Sequence, residues 1–159
     1  MNSTVLRLAF AALALWPYAP KARRVRLEGI DAPEKNQPFG ERAKQFTSGQ
    51  AFGKDVTVQV NDFDRYGRAV SVVTLPDGSV LNGNLVRVGF AWWYRQYAPD
   101  AKLLGDYEQE ARATRRGLWA TKSPVAPWAW REAREKKRRE QKRREQEERI
   151  NSAAISVRG

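Results

Sequence analysis

Three ionisable side chains fall within nine residues of "VRLEGIDAPE" (residues 25–34): Arg26, Asp31 and Glu34. A second short stretch, "FDRYGR", adds Asp64, Arg65, Tyr66 and Arg68. These residue types suit work on a phosphodiester. Such a substrate is anionic and repels nucleophiles, so a cation must neutralise it and hold the charge that builds on its oxygens. Arginine does this with a planar fork that binds two oxygens and stays charged at any working pH. A carboxylate near the phosphorus can take a proton from the attacking water. A hard cation such as Ca²⁺ would need several oxygen ligands. The bland reading stands beside this one, because an arginine with two acids at a strand end is also an ordinary polar terminus.

Composition narrows the chemistry. The chain has 159 residues, no cysteine and no histidine, and carries 29 Lys and Arg against 18 Asp and Glu, a net charge of +11. Disulfides, thiol nucleophiles, histidine bases and zinc sites of the usual kind are excluded together. The positive field favours an anionic partner, nucleic acid first and an anionic membrane surface second. The length suits one domain with a tail.

The elements that must position these groups follow from periodicity. Residues 1–22 form an apolar leader, and Leu8–Trp16 resembles the core of a signal peptide while being too short to span a bilayer. Secretion or a periplasmic location is one expectation, and a cytoplasmic one the other. Thr4, Leu6, Leu8 and Phe10 alternate in part, so the leader could also be a strand, or a helix given its alanine and leucine content.

Residues 23–30 alternate as one strand, with Val25 and Leu27 opposite Arg26 and Glu28. Strict alternation puts Arg26 and Asp31 on opposite faces. Gly29 and a turn at Ala32–Pro33 must break it if the two are to converge. Phe39, Ala43 and Phe46 then take helical spacing up to Gly53, and "KDVTVQV" and "AVSVVTL" alternate as strands. A short helix ends before Gly89, and a longer one is expected from an Asp100 N-cap to a Gly117 C-cap. "LWATKSPVAPWAW" reads as a strap over the core. Residues 131–149 are almost wholly Glu, Lys, Arg and Gln with i, i+4 ion pairs, which predicts a solvated helix. The expected division is therefore 1–22, a domain over 23–130, and a charged tail over 131–159. The fold class is α+β with a mainly β core, compatible with a small OB-type barrel carrying packed helices.

From Arg23 to about Trp130 the chain resembles the staphylococcal nuclease-like, or thermonuclease, family. The resemblance rests on "VRLEGIDAPE", "QPFGERAKQF", "DRYGR", "NLVRVGFAWWYRQYA" and "EQEARATRRGLW", in the family's order. It implies an OB-fold barrel and a Ca²⁺-dependent endonuclease acting on DNA or RNA. Single-stranded nucleic acid is the expected partner, with the protein a monomer and no stable membrane span. By resemblance Arg26 and Arg68 are the phosphate-binding catalytic arginines and Glu34 the general base. Asp31 is a metal carboxylate, and Ala32 offers a backbone carbonyl to the metal. Arg65, Tyr66 and Tyr94 fall at substrate-contact positions.

One departure stands out. Family members open the domain with a strand carrying "DGDT", whose second Asp is another metal carboxylate, and residues 1–25 contain no Asp or Glu. The Ca²⁺ site is expected to be weakened, and the barrel to lack one or two opening strands unless residues 4–16 replace them. A catalytically impaired member that binds single-stranded nucleic acid, or a truncated gene product, are the alternatives.

Overall fold

The computed structural model describes residues 4–8 and 23–156. Contacts divide it into two compact units, residues 1–124 and 125–159. The first unit is mixed α+β. Its larger sheet has strand order β1-β4-β5-β2, built from β1 (Thr4–Leu8), β2 (Val25–Leu27), β4 (Val56–Phe63) and β5 (Ala69–Thr74). The smaller pairs β3 (Ile30–Asp31) with β6 (Trp92–Trp93). Among the described residues no pairing closes these sheets into a barrel.

β1 runs antiparallel to β4, from Thr4 opposite Val60 to Leu8 opposite Val56. The strand alternative for the leader therefore holds for these five residues. Most of the apolar run that resembles a signal peptide lies outside the described residues.

The expected single strand over 23–30 is corrected to two. The chain turns at Glu28–Gly29 and passes from the larger sheet into the smaller. Gly29 takes φ 72°, a left-handed conformation that costs glycine least. A side chain there would also meet the Leu104 Cδ1 at 2.9 Å.

Helices pack on this framework. α1 (Gly40–Ala51) follows the expected spacing, except that Phe39 stands outside it as the N-cap, at φ 68°. α2 (Leu81–Arg87) supplies Leu81, Leu85 and Val86 to a core shared with Ile30, Val58, Val73, Leu75 and Ala91. α3 (Lys102–Ala113) starts one residue later than expected, with Ala101 rather than Asp100 as N-cap and no side-chain cap. It ends before Gly117, which instead opens a 3₁₀ turn over Gly117–Ala120. The expected strap is thus split between that turn and the start of α4 (Pro127–Ser156), a helix of 30 residues in the second unit. No helix among the described residues is long and apolar enough to cross a membrane.

Candidate nuclease site

Arg26 lies on β2, and Arg68 stands just ahead of β5, the strand that β2 pairs with. β2 runs parallel to β5 with Arg26 beside Val70, and the Ala69 amide donates to the Arg24 carbonyl at 3.0 Å. Along β5, Ala69, Ser71 and Val73 are buried while Val70 and Val72 are not. Carrying that alternation one residue back puts Arg68 on the Val70 side, the side of Arg26. The pairing sets Arg26 on that face, and the alternation carried beyond the strand end assigns Arg68 to it.

The loop before β5 is rigidly tied. Asp64 Oδ1 accepts from the amides of Tyr66 (2.9 Å) and Arg68 (3.0 Å), and its Oδ2 accepts from Arg68 Nε at 2.6 Å. Asp64 thereby braces the loop that leads into β5. Gly67, at φ 72°, allows the tight return that also bonds its amide to the Asp64 carbonyl. The Arg65 and Arg68 guanidinium carbons lie 4.8 and 5.4 Å from the centre of the Tyr66 ring, and Arg65 Nη2 donates to the Tyr66 hydroxyl.

Partial desolvation pushes the Asp64 carboxyl up, but the Arg68 amide and guanidinium and the Tyr66 amide outweigh it. The net effect holds Asp64 below its ordinary value of 3.8. Its folded value is depressed, so its stabilising contribution is complete above the ordinary range and is lost as pH falls through the folded value. Melting temperature measured from about pH 5 downward is expected to fall less steeply in Asp64→Asn than in the native chain. Parallel curves would remove Asp64 from the account.

Asp31 and Glu34 stand beyond the Gly29 turn. Asp31 ends β3 opposite Trp92, followed by half-buried Ala32 and buried Pro33. Glu34 opens a turn pinned from both sides. Its amide donates to Gln37 Oε1 at 3.1 Å, and its carbonyl accepts from the Gln37 amide at 2.8 Å. Gly40 closes this turn, because a Cβ there would lie 2.0 Å from the Glu34 carbonyl oxygen. Tyr94 is tied to the same corner by its amide, which donates to the Gly29 carbonyl at 2.9 Å.

Several residues that hold or face this site carry no signal in the sequence reading. Tyr97, 63% exposed, lies with its ring 4.8 Å from that of Tyr94 and beneath the Arg26 guanidinium at 5.2 Å. Its neighbour in "YRQY" is the one hint. Asn82 on α2 is buried and ties β5 to the turn that follows β2. Its Nδ2 donates to the Glu28 carbonyl (3.0 Å) and the Ser71 carbonyl (3.1 Å), and its Oδ1 accepts from the Val73 amide (3.1 Å). It therefore fixes the point where the chain leaves β2 for β3. Asn82→Ala is expected to lose about 2 kcal/mol in urea unfolding, because the Val73 amide and the Glu28 carbonyl lose a buried partner. A loss within error would show that water replaces the amide.

β6, which pairs with the Asp31 strand, rests on an ionic and aromatic cluster. Glu108, buried on α3, meets Arg112 at 3.4 Å and Arg95 at 3.7 Å. Arg112 lies 4.0 Å over the Trp119 ring, and Arg95 4.6 Å over Trp93. These planar cations are matched to both a carboxylate and an aromatic face, a role lysine fills poorly.

For a cation, the donors are of the right kind and short in number. Asp31 and the Ala32 carbonyl are hard oxygens of the type Ca²⁺ takes. Among the described residues, however, no three acidic side chains gather into a metal-binding group.

Comparison with known proteins places the chain in a family. The family model described as staphylococcal nuclease homologue matches residues 24–121. An uncharacterized endonuclease of Escherichia coli O157:H7 is 46% identical over 111 residues, covering 70% of this chain and 72% of that protein. A micrococcal nuclease of Shigella flexneri is 42% identical over 119 residues, covering 69% and 68%. A staphylococcal-like nuclease of Arabidopsis thaliana is 39% identical over 112 residues, 70% of this chain but 34% of that longer protein. The chain belongs to the staphylococcal nuclease-like family. Its relatives support a nuclease function, with nucleic acid as the substrate.

Proposed function

We propose that this protein is an endonuclease that hydrolyses phosphodiester bonds in DNA or RNA, built on an OB-type barrel. The parallel pairing of β2 with β5, which puts Arg26 beside Val70 on the strand that Arg68 leads into, is the observation that supports the reading. In this mechanism the two guanidiniums grip the non-bridging oxygens and hold the charge that grows there. Glu34 takes a proton from a water as its oxygen bonds to phosphorus. The P–O bond to the leaving sugar oxygen breaks, and that oxygen takes a proton from solvent. Arg65, Tyr66 and Tyr94 position the strand, with aromatic faces for bases to stack on. Asp31 and the Ala32 carbonyl would hold Ca²⁺, which supplies Lewis-acid neutralisation of the phosphate. Among the described residues protein ligands are few, so water would complete that shell and the affinity would be weak.

The decisive experiment is cleavage of denatured DNA with Ca²⁺ raised from micromolar to millimolar, against an EDTA control. Cleavage that appears only at the high end supports the proposal. Full cleavage in EDTA would overturn the metal dependence.

The absence of a three-carboxylate group among the described residues favours one second reading, a member that binds single-stranded nucleic acid without cutting it. Gel shifts in EDTA with no cleavage at any Ca²⁺ concentration would select it.

A further inference from the structure

The charges of α4 are not spread evenly around it. At 3.6 residues per turn, one half of the helix over residues 131–149 carries Arg131, Arg134, Arg138, Arg139, Lys142 and Arg149 against Glu135 and Glu145 alone. The other half carries four cations and four acids. The whole surplus of positive charge in this stretch therefore lies along one side. All six cations of that side are exposed. Arg138 and Arg139 share a single partner, Glu135, at 2.7 and 3.2 Å, leaving that pair with net positive charge. On the balanced half Arg143 has its own acid, Glu147, at 3.6 Å.

Helix stability does not require this arrangement. Ion pairs at i, i+4 stabilise a polar helix wherever they stand around it, and a helix kept only for solubility gains nothing from sorting its surplus to one side. A linear stripe of cations about 27 Å long (residues 131 to 149 at 1.5 Å each) matches a linear polyanion. No apolar face accompanies it, which disfavours insertion into a lipid interface.

We propose that this stripe is a second nucleic-acid contact, a phosphate-tracking arm that lengthens the footprint of the protein on a single strand beyond the catalytic unit. It rests on nucleic acid as the ligand, but not on catalysis. The arm tracks phosphates, since its six cations outnumber the two amides, Gln141 and Gln146, on the same half and no aromatic ring accompanies them. It raises affinity for long strands by linking two contacts on one chain.

The test uses full-length protein in EDTA, so that binding is separated from cutting. In one variant Arg134, Arg138 and Lys142 are each changed to Gln. In the control Lys136, Lys137 and Arg144 on the balanced half are changed to Gln, with the same loss of charge and little change in helix propensity. Titration with poly(dT) is expected to show a salt dependence shallower by about 2 in the log–log slope for the stripe variant, at about 0.7 per contact on single strands. The control variant should keep the native slope. An oligonucleotide of about 6 nucleotides, within the site size of one such domain, should bind all three proteins alike.

Equal loss in both variants would reduce the effect to net charge and overturn the proposal. So would no loss in either, or a stripe variant that loses only sedimentation with phosphatidylserine vesicles. Native protein that binds poly(dT) with the full slope but never cleaves it would sink the nuclease reading and leave the arm standing.

Discussion

Changing Glu34 to Gln is expected to lower the rate of phosphodiester cleavage by about 10²–10⁴-fold, the usual worth of a positioned general base. Affinity for single-stranded DNA in EDTA should stay close to native. The reason lies in how the residue is held. Its backbone is fixed by three groups that Gln does not disturb: the Gln37 side chain, the Gln37 amide and the close approach of Gly40. Gln keeps the shape of Glu but loses its negative charge and with it the ability to take the proton. The variant should therefore keep the native melting temperature, and its loss should appear in kcat. A companion, Gly40→Ala, retains the carboxylate but places a methyl 2.0 Å from the Glu34 carbonyl oxygen. That contact must push the turn aside, at about 1–3 kcal/mol of stability. Slow cleavage in both variants, with lowered stability only in the second, separates chemistry from placement. Native rates in Glu34→Gln would remove Glu34 from the base role.

Much of the architecture was legible because most elements announce themselves locally. β4 and β5 alternate cleanly, α1 and α3 keep helical spacing, and the charge pairs of α4 need no tertiary partner. The boundaries erred where local rules compete. Asp100 is the better capping residue by type, yet α3 begins after Ala101 without a side-chain cap. The break between β2 and β3 left a trace that alternation alone passed over. Leu27 and Ile30 are three residues apart, so the apolar parity changes across Gly29.

The candidate site divides along the same line. Arg26, Asp31, Glu34 and Arg68 could be picked out because their types suit one chemistry and their motifs resemble one family. What holds them could not. Asn82 lies 54 positions from Glu28, whose carbonyl it binds, and Gln37 looks like any polar residue ahead of a helix. Their roles exist only once the chain has folded. Strand β1 is the intermediate case: partial alternation allowed a strand, and only its pairing with β4 decided between strand and helix.

Arg68 carries the second large effect, and its geometry says why lysine cannot stand in. The guanidinium is shared between two tasks. Its Nε edge is spent on Asp64 at 2.6 Å. The two Nη groups remain for a phosphate, a fork matched to two oxygens. The carboxylate that holds it is buried at 8% side-chain exposure, while the arginine side chain is 38% exposed, so the inner edge is anchored and the outer edge faces the solvent. An ammonium is a point charge on a flexible stem. It can pair with Asp64 or reach the phosphate, and the nearer, already ordered carboxylate wins. Arg68→Lys is therefore expected to cost about 10²–10³-fold in cleavage, the magnitude seen when one preorganised charge donor is lost. Stability should be nearly native, because the Asp64 bonds to the Tyr66 and Arg68 amides survive. Asp64→Asn tests the same partition from the other side. It frees the guanidinium from its anchor and should lower the rate through disorder of the fork while leaving its charge in place. Single-turnover cleavage of denatured DNA distinguishes the cases. A lysine variant cutting within threefold of native would show that charge alone suffices at this position, and the division of labour across the guanidinium would have no part in the reaction.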